Sequence, residues 1–68
     1  MSKHRKDIYL DQLVDIVQKQ HQTSGELTQG LVKRILTNAK FHPHGIKVKL
    51  DTGEVGRVQR VYAEDNDD

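Results

Sequence analysis

Residues 42–61 read HPHGIKVKLDTGEVGRVQRV, and the alternation within them decides the fold. Ile46, Val48 and Leu50 alternate with Lys47 and Lys49, which puts apolar side chains on one face of a strand and both ammonium groups on the other. Asp51-Thr52-Gly53-Glu54 follows as a turn. Gly53 is free to take the positive φ of a tight hairpin, so the apolar run from Val55 to Tyr62 is expected to pair back antiparallel.

Upstream, the reading is less direct. Leu27, Leu31, Val32, Ile35 and Leu36 fall at helical spacing, as do Tyr9, Leu13, Val14 and Val17. Gly30 in the middle of the second set would cost a helix about 1 kcal/mol relative to alanine, and Thr28, Val32 and Ile35 are β-branched. An internal comparison favours strands. Residues 23–35 align with residues 51–61 when two positions are skipped, each copy reading Gly-Glu-apolar and then Gly-x-Val-x-Arg-(Ile/Val). The second copy follows a strand and a turn, so the first is expected to do the same, with Lys19 to Gly25 as the loop of an earlier hairpin. After the glycine, the apolar positions are three apart, Val32 to Ile35 and Val58 to Val61, where plain alternation gives two. A β-bulge or sharp bend explains that interval. Strongly bent hairpins close into small barrels, and closure removes the exposed strand edges of a chain this short. The expected fold class is therefore all-β, a small barrel of four to five strands.

Sixty-eight residues make one domain, and a chain of that size buries only about 60% of its unfolded surface, leaving little room for an enclosed active site. Absence of cysteine excludes disulfide staples and thiolate zinc sites, and gives no sign of secretion. The basic start lacks the apolar stretch of a signal peptide, and no apolar run approaches the ~20 residues of a membrane span, so a cytoplasmic, membrane-free chain is expected. Residues 1–7 are read as a basic flexible arm, 8–63 as the barrel domain and 64–68 as an acidic flexible tail. Overall the formal charge is only +1, yet from Lys19 to Val61 there are eight Lys/Arg against three acids, a local net of +5.

The stretches Val14-Asp15-Ile16-Val17, Leu27 to Val32, Ile35-Leu36-Thr37, His42 to Val48 and Gly53 to Val58 closely resemble the YwbE family of small uncharacterised proteins. Because that family is known mainly as a domain of unknown function, the resemblance implies little about activity. Gly30-Leu31-Val32-Lys33-Arg34-Ile35 and Gly56-Arg57-Val58-Gln59-Arg60-Val61 also resemble the glycine-then-alternating pattern of KOW-type SH3-like barrels. That likeness implies binding to RNA or to proteins of the RNA machinery, by analogy of fold.

The candidate binding surface follows from charge placement. Lys47 and Lys49 share the outer face of their strand, Arg57 and Arg60 come from the opposing strand, and Lys33, Arg34 and Lys40 extend the patch. Phosphate is the natural partner of cations so crowded; the plainer account is a solvated face that keeps the sheet soluble. His42 and His44 can hydrogen-bond phosphate or a base, and Phe41 can stack on a base or instead plug one end of the barrel. Two imidazoles two residues apart can also chelate zinc, but no cysteine or acid in the loop completes a site, and a stiff turn at Pro43 is the simpler reading. No catalytic arrangement and no cofactor signature is present in the sequence. The expectation is a non-enzymatic nucleic-acid-binding module, most naturally for RNA, with a protein-docking module of the same fold as the alternative.

Overall fold

The computed structural model describes residues 3–62. Four strands, β1 (Leu13–Gln18), β2 (Leu27–Ile35), β3 (Lys47–Leu50) and β4 (Val55–Val61), pair antiparallel in chain order. The barrel closes where β4 pairs back onto β1. This is the expected all-β barrel, and the segments with helical spacing are strands β1 and β2. No helix among the described residues is long and apolar enough to cross a membrane.

Both intervals of three residues are β-bulges. In β2, Val32 faces Leu50 and Arg34 faces Lys49, so Lys33 is the extra residue against β3. In β4, Val58 faces Ile16 and Arg60 faces Asp15, so Gln59 is the extra residue against β1. Each bulge sharpens the local bend and lets both apolar residues around it turn inward.

The repeat seen in the sequence is a structural pseudo-twofold relating the two hairpins. Val14 pairs with Gly30 as Val48 pairs with Gly56. Outside the ladders, Val32 N–H donates to Gln12 C=O (3.0 Å) as Val58 N–H donates to Ile46 C=O (2.9 Å). Leu36 N–H likewise reaches Lys47 C=O (2.8 Å) as Tyr62 N–H reaches Leu13 C=O (3.1 Å). Even the chain entering each hairpin turns through the left-handed region at the matching place, at Asp11 (φ 66°) and Gly45 (φ 102°). The match extends well upstream of the repeated motif.

The core repeats in the same way. Val14, Ile16 and Val32 from one hairpin meet Val48, Leu50 and Val58 from the other, all fully buried, with Ile46 joining them and Ile8 added from the N-terminal segment. At the tighter turn Gly53 adopts φ 101°, as expected, and the Thr52 hydroxyl donates to the Glu54 carboxylate. That bond, and then one from the Glu54 backbone, hold the carboxyl below its ordinary range.

One acid sits where the alternating pattern would not place it. Asp15 is buried, and its Oδ2 accepts a 2.6 Å hydrogen bond from the Tyr62 hydroxyl. Tyr62→Phe removes the donor from this enclosed carboxylate and is expected to cost about 1–3 kcal/mol, read as a lower urea midpoint with an unchanged slope.

Within the stretch read as a basic arm, Lys3 and Arg5 are hydrogen-bonded to the segment between β2 and β3. Arg5 N–H donates to Lys40 C=O and His42 N–H to Lys3 C=O, both at 2.8 Å, around a bridge between His4 and Phe41. The acidic stretch 64–68 lies outside the described residues.

Candidate nucleic-acid interface

The pseudo-twofold makes the two hairpins comparable position by position, and their outer faces differ. On the β1–β2 hairpin the directly opposed pair is Leu13 and Leu31; on β3–β4 the matching pair is Lys47 and Arg57. A second pair, Arg34 and Lys49, stands opposed across β2 and β3. Like charges directly opposed on a sheet are destabilising by a few tenths of a kcal/mol or more. No carboxylate of the described residues lies within 4.0 Å of these four cations; the one such contact joins His21 and Glu26 at 3.9 Å. Arg34, Lys49, Lys47 and Arg57 form a cationic belt across three strands, and an anion would relieve it.

Beside the belt, the histidine loop is strapped to β4. Gly45, at φ 102°, returns its N–H to His42 C=O (3.0 Å), and its own carbonyl accepts from Arg57 Nη1 (3.1 Å). A side chain on Gly45 would place its Cβ 2.4 Å from Val58 C=O, so the loop depends on glycine both for backbone conformation and for close approach. Gln59, the bulged residue, donates from Nε2 to His44 C=O at 3.2 Å. The bulge thus also anchors the loop.

His44 N–H donates to His42 Nδ1 (3.1 Å), which leaves His42 Nε2 as the N–H that faces outward in the neutral ring. Partial desolvation, the Arg57 guanidinium and then His44 hold the His42 pKa below the ordinary imidazole value. An anion seated against Arg57 opposes the two electrostatic causes and so draws a proton onto His42. Lys3, Val17, Leu27, His42, His44 and Arg57 line one continuous open groove here.

The structure sorts the ten residues expected at the surface. Lys47, Lys49, Arg57 and Arg34 come together in the belt, and His42 and His44 adjoin Arg57 in the groove. Arg60 lies beyond the β3–β4 ladder, which ends at Arg57: it stands opposite Asp15 of β1, with its guanidinium carbon 5.3 Å from the Tyr62 ring centre. Lys33 occupies the β2 bulge, out of register with β3, and Lys40 precedes the loop with its side chain exposed. Phe41 does not plug the barrel. It is 49% exposed and packs its ring against His4, with centroids 5.0 Å apart. Sequence reasoning missed Lys3, Val17, Leu27 and Gln59. Lys3 carries no local signal, since its place is set by pairing with His42 across the chain, whereas Gln59 was marked by the bulge interval itself. Among the described residues, no three His, Cys, Asp or Glu side chains converge as a metal site.

Fold and surface together define a small closed β-barrel with one basic and one apolar outer face. Residues 1–61 match the model of a family described as "Uncharacterized conserved protein (DUF2196)", and the chain belongs to that family. It is similar to the "Uncharacterized protein YwbE" of Bacillus subtilis (strain 168), 56% identical over 50 residues, which cover 74% of this chain and 77% of that one. No solved structure matches.

Proposed function

We propose that this protein is a non-enzymatic, cytoplasmic nucleic-acid-binding module whose β3–β4 face and histidine loop contact the phosphates of RNA. The observation that supports this reading is the opposed pair Lys47 and Arg57, unneutralised among the described residues and continuous with Arg34, Lys49 and the His42–His44 loop. Contacts to phosphate position a polymer without reading its bases, so binding is largely independent of sequence. Each phosphate contact on a single strand contributes about 0.7 to the slope of log affinity against log salt. Four contacts therefore weaken binding about a hundredfold between 50 and 300 mM salt. Fluorescence anisotropy with a mixed-sequence RNA oligonucleotide reads this directly. Binding that ignores salt, or no binding at low salt, refutes the proposal.

The exposed Leu13–Leu31 pair supports a second reading, docking to a protein of the RNA machinery by the apolar face. That reading predicts an interaction insensitive to salt and abolished by Leu31→Glu.

A further inference from the structure

We infer that the groove beside Arg57 is a nucleotide subsite, holding the phosphate of one unit against Arg57, His42 and Lys3 and its base over Val17 and Leu27. This rests on the nucleic-acid reading and adds a defined pocket to a surface otherwise described only by charge.

The argument begins with register. Val17, next to the last residue of β1, is paired with Leu27 on one side and Arg57 on the other. All three point outward, so a row of two apolar side chains leads across the sheet to a guanidinium. Neighbouring strands are about 4.8 Å apart, which sets Leu27 and Arg57 about 10 Å apart along this row. A nucleotide, with its flat base at one end and phosphate at the other, has that polarity and is of that order of length.

The walls agree with the two ends. At the cationic end stand His42, with its outward Nε2–H, His44, and Lys3, which is held opposite His42 by the hydrogen bond from His42 N–H to Lys3 C=O. At the apolar end, Leu27 is 46% exposed and Val17 half-buried, with Gln22 and Gly25 of the β1–β2 loop beside them. The Gln22 amide brings a donor and an acceptor to the edge of a base seated there. An inorganic anion would use only half of this groove. Its apolar half is continuous with the cationic half and is explained by a ligand that carries both characters.

The Arg57 side of the groove is built to stay in place. Arg57 Nη1 is held by Gly45 C=O, and Gln59 ties the His44 carbonyl to the same strand. Phosphate therefore meets donors whose positions are already fixed, which reduces the ordering cost of binding.

The test compares adenosine monophosphate, adenosine and inorganic phosphate at low salt by NMR titration of the full chain with labelled methyl groups. The nucleotide is expected to bind about tenfold more tightly than inorganic phosphate and to shift the Val17 and Leu27 methyls as well as the His42 ring protons. Leu27→Ala, at an exposed position, should lower nucleotide affinity to that of phosphate while leaving phosphate affinity unchanged. Equal affinities for nucleotide and phosphate, with the methyls unmoved, overturn the subsite. If RNA then still binds in a salt-dependent way, the polymer reading stands and only the subsite falls. Conversely, tight nucleotide binding without RNA binding keeps the pocket and removes the polymer.

Discussion

Gly56→Ala is expected to destabilise the barrel by about 3 kcal/mol or more, whereas Gly30→Ala is expected to cost about 1 kcal/mol. The two glycines occupy equivalent places in the pseudo-twofold, opposite Val48 and Val14, so secondary-structure propensity alone would give them equal effects. Their surroundings separate them. A Cβ at Gly30 meets Leu50 Cδ1 at 2.8 Å, the far end of a side chain that can turn aside. A Cβ at Gly56 meets Val17 C=O at 2.4 Å and its carbonyl carbon at 2.8 Å, and backbone has no rotamer to change. β4 must then withdraw from β1 along the seam that closes the barrel. Overpacking of this kind costs about 3 kcal/mol or more, a large part of the roughly 3–10 kcal/mol that about 0.05–0.15 kcal/mol per residue gives a domain this small. Circular dichroism during urea titration separates the outcomes. Equal midpoints for the two variants would contradict the closed seam.

If the proposed reading holds, Arg57→Gln is expected to lower affinity for RNA about tenfold at 50 mM salt and to reduce the salt slope by about one contact, while Arg60→Gln is expected to leave both nearly unchanged. Arg57 faces Lys47 of β3 on one side and Val17 of β1 on the other, and donates to Gly45 C=O of the histidine loop, so it lies at the junction of belt and groove. Arg60 is three residues away on the same strand but beyond the bulge, against Tyr62 and Asp15. A diffuse attraction to net charge would make the two substitutions equal. The His42 ring supplies an independent reading of the same geometry. Loss of the Arg57 charge removes one of the causes that depress the His42 pKa, so the imidazole titrates at higher pH in Arg57→Gln than in the parent, as followed by its ring-proton shifts.

Much of the barrel was legible because the physical signals were local. Alternation from Ile46 to Leu50, the glycine of the Asp51–Glu54 turn, and the interval of three at Val32–Ile35 and Val58–Val61 each specify a backbone event within a few residues. The repeat then carried the reading into β2, where periodicity alone allowed a helix. What stayed hidden depends on residues distant in the chain. Asp15 looks like an outward-facing acid until Tyr62 is folded over it. Lys3 joins the groove only through the pairing with His42. Arg60 is instructive, because the bulge between Val58 and Val61 keeps it on the outer face with Arg57, yet β3 pairs with β4 only as far as Arg57, so Arg60 stands beside β1 and not beside Lys47 and Lys49.

The central claim is that RNA is held on the β3–β4 side of the barrel and not on its apolar counterpart. Amide chemical-shift mapping of the labelled protein with a mixed-sequence RNA oligonucleotide, at low and then at high salt, tests it most directly. The expected result is a set of shifts centred on Arg34, His42 to Lys49 and Arg57, reaching Val17 and Leu27 across the groove, and diminished at high salt. Shifts centred on Leu13 and Leu31, or no shifts in a folded protein at low salt, would contradict it.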